Sequence, residues 1–146
     1  MFDILPYQFV LLTHITAFVW SVVGIIAADS QGLCWLLGWR MTLTARYLHF
    51  WHRWVWVGIA VSALSGLYMF WPVREYLLTQ PTFLIKVSLV LVLCLNALFI
   101  GKHMLVATTQ SFASLSPARK RALIVSGAVS TICWVSVATL GLLLPL

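Results

Sequence analysis

Acidic residues are nearly missing from this chain. Asp3, Asp29 and Glu75 are all it has in 146 residues, and charged side chains of either sign make up 8%. A soluble domain normally carries about 25%. Too few polar side chains remain to cover a water-facing surface. The shortage also argues against a proton pump built on paired intramembrane carboxylates, because all three acids fall near predicted interfaces. Cysteine is scarce as well. Cys34, Cys94 and Cys133 are an odd number without metal-ligand spacing, and the last two lie in apolar runs where cysteine acts as a small hydrophobe. No disulfide framework follows. The opening "MFDILPYQF" lacks the basic region of a cleaved signal peptide. There is no lipidation motif, low-complexity segment, internal repeat, phosphate loop or Ser/His/Asp set.

What is present is apolar. The chain is 62% hydrophobic, with a mean hydropathy of +1.02. It is long enough for one domain and too short for two ordinary ones. A bilayer core of about 30 Å needs roughly 20 apolar residues in a helix. Four stretches qualify, at about 7–28, 51–71, 82–101 and 122–144. The expected fold class is therefore all-α, a single integral membrane domain built as a four-helix bundle. The punctuation agrees. Pro6 precedes the first span, Pro72 is expected to stop the second, Pro81 opens the third and Pro145 follows the fourth. "SPARKRA" reads as a helix start, with Ser116 as N-cap and Pro117 in the first helical position.

The net charge of +6 does not point to nucleic acid, because the basic residues sit between long apolar runs. They sort by side instead. Arg40, Arg46, Arg53, Lys102, Arg119, Lys120 and Arg121 fall toward the 29–50 and 102–121 loops, and only Arg74 and Lys86 toward the other face. Seven against two predicts that both loops are cytoplasmic and both termini outside, in a bacterial inner membrane.

Small residues mark helix faces that meet other helices. The first span carries Ala17, Ser21, Gly24 and Ala28 at helical spacing. The second carries Ala60 and Ala63. The fourth carries Gly127, Ser130, Thr131, Ala138 and Gly141. On that basis these faces are expected to point into the bundle.

Four histidines and one lysine then need an account. His14 shares the small-residue face of the first span, roughly 12 Å into the membrane at 1.5 Å per residue. An ionisable group at that depth should face protein or a ligand. It either bonds a neighbouring hydroxyl, for example on the last helix, or serves a functional role. Lys86 lies one turn inside the third span. It either snorkels to the outer headgroups or stands beside His14 to meet a carboxylate such as a haem propionate. The stretch "RYLHFWHRWVW", Arg46–Trp56, holds two histidines three residues apart, two arginines and five aromatic rings. Arginine and aromatic side chains gather at membrane interfaces, so most of it reads as a belt. His49 and His52, however, share a helix face with Trp56, Ala60 and Ala63, and His103 ends the third span on the same side. Imidazoles from two helices can hold a haem iron from both sides. His52 lies deeper than His49 and is the better ligand, opposite His103, with Arg53 or Lys102 left to hold propionates. Zinc would want a closed ligand set, for which only Asp29 and Cys34 are near. Asn96, two turns before His103, should bond across to another helix.

Three segments resemble a known family. "HITAFVWSVVG" from His14, "RYLHFWHRWVWVGIAVSALSGL" in the second span and "FLIKVSLVLVL" around Lys86 are similar to the HemJ-type protoporphyrinogen IX oxidases and the related CopD-like four-helix membrane proteins. The resemblance implies a b-type haem associated with the helix-1 histidine and the helix-3 lysine, here His14 and Lys86. The sequence departs from the family pattern in places. "WSVVGIIAADS" replaces a Leu-Tyr-Leu-Pro-Arg run, Asn96 stands near the position of a later histidine, and "SGAVSTICW" replaces an Asn-Glu-Val-Pro run. A divergent member is implied. Three functions compete at this point: a haem-b redox protein, for electron transfer or HemJ-like porphyrinogen oxidation; CopD-like copper handling, for which Met69 and His103–Met104 are the available donors; and a non-catalytic structural subunit of a membrane complex. The partners expected are the lipid bilayer and either a redox partner in the membrane or a second copy of the chain.

Overall fold

The computed structural model describes residues 6–103 and 105–143; for Lys102 and Leu143 it describes the backbone alone. Met104, Pro145 and Asp3 lie outside the described residues, as does the end of the fourth predicted span at Leu144. Among the described residues the structure is helical and has no strand. Four helices are long and apolar enough to cross a membrane. The large exposed side chains fit that setting: Leu64 is 69% exposed and Leu95 67%, exposure that lipid tolerates and water does not. The chain is a multi-pass membrane protein with an all-α fold.

The helices are longer than composition alone suggests. α1 runs Tyr7–Leu36, 30 residues against the 22 expected at 7–28. Asp29, Ser30 and Gln31 are polar, yet none of them breaks a helix, so α1 continues past the apolar run. It stops where the backbone must turn. Gly38 adopts φ +76°, and Gly38 N–H donates to the Trp35 carbonyl at 3.1 Å while Trp39 N–H donates to the Cys34 carbonyl at 2.9 Å. This is the Schellman arrangement, and glycine is the residue that takes the left-handed position without strain.

α2 runs Ala45–Leu77 and begins six residues before the predicted start at 51. It also continues through Pro72, which overturns the expectation that proline ends it. Val73 absorbs the lost hydrogen bond by leaving helical geometry (φ −115°, ψ 17°), and the last turn re-forms beyond it. A kink of this kind is the usual response of a membrane helix to an internal proline. After a short connection, α3 spans Pro81–His103. A single turn, α4, follows at Val106–Thr109, then a 3-10 turn at Phe112–Ser114. α5 spans Pro117–Leu143. Its start is as expected: Arg119 N–H approaches Ser116 Oγ at 3.5 Å, with Pro117 in the first helical position.

The helices pack as two hairpins. α1 lies along α2, α3 lies along α5, and contact between α2 and α3 is slight. The α1 stripe is buried as expected at Ala17, Ser21 and Gly24. Its partner face on α2 differs from the expected one. Gly58 sits so close to Ser21 Oγ and the Ala17 carbonyl that no side chain would fit, and Trp54 and Val55 cover Gly24. Ala60 and Ala63 are exposed. On α5 the buried residues are Ser126, Cys133 and Val137, while Thr131 is exposed. Against α3, Asn96 Nδ2 donates to the Ser126 carbonyl at 3.0 Å and Ser126 Oγ donates to Asn96 Oδ1 at 2.5 Å. The expected cross-helix bond of Asn96 is present.

Two clusters join the hairpins. Near mid-length, Leu93, Cys133 and Val137 take in Phe18 of α1, whose ring lies 5.4 Å from that of Trp134. At one end, Trp35, Leu43, Leu48, Ala107 and Leu115 form a second small core from the α1–α2 and α3–α5 connections. Leu43 N–H donates to the Ala107 carbonyl at 2.8 Å, and the Trp35 indole N–H to the Gln110 carbonyl at 3.0 Å. The two basic loops therefore share one end of the molecule, here called the loop end.

Candidate functional site

His14 lies between α1 and α2. Its Nδ1 is 2.9 Å from the Ser62 carbonyl oxygen and 3.1 Å from Ser65 Oγ. A carbonyl can only accept, so Nδ1 carries the proton and donates it. That choice fixes the tautomer and leaves the Nε2 lone pair uncommitted by the bond. Ser65 is held in turn, since its hydroxyl donates to the Val61 carbonyl at 2.7 Å. The ring edge faces Gly66, where a Cβ would come within 3.2 Å of Cε1. The hydroxyl that His14 meets is on α2, not on the last helix. The two serines, three residues apart on an otherwise apolar face, were the unused clue to it.

Lys86 is half-buried on α3, and its ammonium rests beside Gly141 of α5, 3.5 Å from where a Cβ would stand. His14 and Lys86 thus stand on different hairpins, His14 against Ser62, Ser65 and Gly66 of α2 and Lys86 against Gly141 of α5.

The loop-end histidines are arranged differently. The Trp56 indole N–H donates to His52 Nε2 at 3.0 Å, so the nitrogen that would face a metal is already an acceptor. The His52 ring packs on α3 at Gly101, where a Cβ would lie 3.1 Å from Nε2. His103 donates from Nδ1 to the Phe99 carbonyl at 2.9 Å and stacks on the Phe99 ring at 4.2 Å. His49 is exposed. So His52 does reach the end of α3 near His103, but Trp56 occupies it. Spacing along the sequence could not reveal that, because Trp56 lies on the same face and reads equally well as belt. Arg53 is exposed, and the Lys102 side chain lies outside the described residues. Among the described residues no three His, Cys, Asp or Glu side chains come together as a metal site. Asp29 and Cys34 join no such group.

The belt itself is a packed object. Trp20 of α1 stacks on Trp54 of α2 at 3.9 Å and 7°, and Phe50, Trp51 and Trp54 meet edge-on or tilted at 5.1–5.7 Å. The indole N–H groups of Trp51 and Trp54 and the hydroxyl of Ser62 are buried without a protein partner.

Compared with known proteins, the chain matches no family model, no curated protein and no solved structure. What it does has to be argued from its own residues.

Proposed function

We propose that the chain holds a b-type haem through Nε2 of His14 and serves a redox role, as a divergent relative of the HemJ-type proteins it resembles. One observation carries the reading: the Ser62 carbonyl takes the Nδ1 proton of His14 at 2.9 Å. Histidines that ligate metals characteristically donate their other ring nitrogen to a carbonyl or carboxylate, which orients the ring and raises its basicity. The α2 wall beside the ring is Gly66, which leaves that side free of a side chain. Lys86 supplies a cation on the opposite hairpin, suited to a propionate.

A bound haem would supply one-electron chemistry at its iron. His14 would orient it, with its ring fixed by Ser62, and Lys86 would offer a cation to a carboxylate. The alternative pair, His52 and His103, is less favoured, since iron at His52 Nε2 would require Trp56 to give up its bond. We further propose the orientation that the basic residues imply, with the loop end cytoplasmic.

The test is the reduced absorption spectrum of the purified protein. Wild type is expected to show a haem-b signature that His14→Ala abolishes and that His52→Ala and His103→Ala retain. Loss with His52→Ala and survival with His14→Ala would move the site to the loop end. Absence of haem from wild type expressed with ample haem supply would end the reading altogether.

A further inference from the structure

A cavity of about 570 Å³ opens at the loop end between the last turns of α1 and the first turns of α2. Gln31, Arg40, Thr44, Arg46, Phe50 and Trp51 line most of it. We propose that this cavity binds the phosphate-bearing headgroup of an anionic phospholipid.

Charge comes first. Arg40 and Arg46 both line the cavity, and neither side chain makes an ion pair or hydrogen bond among the described residues. The ion pair found among the described residues, Arg74 with Glu75, lies away from the cavity. Both arginines are exposed at the cavity mouth, and together they give it a positive potential that a bound anion would offset. Among the described residues none supplies an anion: α2 has no acidic residue in its first turn, and no carboxylate lines the cavity. Thr44 precedes α2 without making a side-chain capping bond, so the first N–H groups of that helix add to the positive potential. Guanidinium forks match phosphate oxygens in pairs.

The walls decide which phosphate. Gln31 and Thr44 offer polar groups for a glycerol or phosphodiester. Tyr47, also in the wall, has its hydroxyl proton committed to the Ala27 carbonyl at 3.3 Å and presents its ring. Phe50 is 51% exposed beside it. An open polar mouth with aromatic walls, set where a helix of about 45 Å outruns an apolar core of about 30 Å, suits a headgroup with its acyl chains along α2. A free phosphate would use the arginines and leave the rings without a role. The proposal stands apart from His14 and does not depend on haem.

The experiment is native mass spectrometry of the full chain released from nanodiscs made of equal parts phosphatidylglycerol and phosphatidylcholine. Wild type is expected to retain phosphatidylglycerol preferentially. Each basic residue near a charged membrane surface is worth roughly fivefold, so the pair predicts a preference of about thirtyfold. Arg40→Gln with Arg46→Gln should bring retention of the two lipids level. Arg40→Gln alone, outside any helix, should lower the preference roughly fivefold without touching the helices, and Arg119→Gln should leave it unchanged. Inorganic phosphate at tens of millimolar should not displace the lipid. Equal retention of the two lipids by wild type would overturn the proposal. So would an undiminished preference in the Arg40→Gln chain, or displacement by phosphate alone, which would mark the cavity as a free-anion site.

Discussion

At the scale of single residues, the structure turns on atoms that are absent. Gly58 lets α2 press on Ala17 and Ser21 of α1, and a Cβ there would run into Ser21 Oγ and stand 3.0 Å from the Ala17 carbonyl. The serine can rotate, but the carbonyl belongs to a helix and cannot. Gly58→Ala is therefore expected to destabilise the protein by about 1–3 kcal/mol, the usual cost of overpacking. Gly32, with open space around it, is the control; as a helical residue its change to alanine should be neutral or stabilising by up to about 1 kcal/mol. Thermal unfolding in detergent micelles, followed by far-ultraviolet circular dichroism, separates the two, and equal melting temperatures would show that the hairpin contact at Gly58 is looser than described. The α1 half of this contact was legible in the sequence, because Ala17, Ser21 and Gly24 repeat at helical spacing. The α2 half was not. Ala60 and Ala63 are also small, and in a helix that is apolar all round nothing in the spacing distinguishes a lipid-facing alanine from a packed glycine. His14 was legible as an inward residue for a different reason: burying a polar ring in lipid is costly, so depth alone dictated a partner. Which partner it found depended on the rotation of α2, for which Ser62 and Ser65, three residues apart, were the available signal.

Among the helices, polar bonds set the register. Asn96 and Ser126 exchange two hydrogen bonds between α3 and α5, where α3 otherwise presents near-uniform leucine and valine. With lipid and protein equally apolar, these bonds are what selects one sliding position and rotation over its neighbours. A double-mutant cycle of Asn96→Ala and Ser126→Ala should give a coupling of about 0.6 kcal/mol, with about 1.7 kcal/mol as a ceiling. The alanine at 126 keeps its backbone carbonyl, so the cycle reads the hydroxyl bond alone. A coupling indistinguishable from zero would mean that the pair is incidental to the hairpin. Asn96 could be read from sequence, since a lone amide in an apolar span has to find an acceptor. The extent of the helices could not. Hydropathy marks where lipid ends, while a helix ends where its backbone is turned, which here is at Gly38 and not at Asp29. Pro72 misled for the related reason that one missing donor costs a helix a kink more often than its continuation, provided a neighbour such as Val73 can take up the angle.

For the whole molecule, the polar fastening of the two hairpins is at the loop end, through the Trp35–Gln110 and Leu43–Ala107 bonds, while the mid-length contact around Phe18 is apolar. The same end carries most of the basic side chains, which underlies the orientation proposed above. Single cysteines placed near Tyr76 and near Ser114, in a chain with its native cysteines replaced, should differ in labelling by an impermeant maleimide. The Tyr76 site should react in intact cells and the Ser114 site only after lysis. The reverse pattern would invert the protein in the membrane and carry the lipid cavity to the other leaflet.

The slight contact between α2 and α3 has a consequence for how the chain is made. Each hairpin carries its own close-packed seam, and the connection at 78–80 joins them near the end opposite the small core of Trp35, Leu43, Leu48, Ala107 and Leu115. Covalent continuity is thus provided at one extremity, while recognition is shared between the small core at the other and the mid-length cluster around Phe18. The chain amounts to a heterodimer whose two subunits happen to share one polypeptide. Two genes encoding residues 1–79 and 80–146, expressed together, should yield halves that co-purify through a tag on either one, and Trp35→Ala should separate them while leaving the intact chain folded.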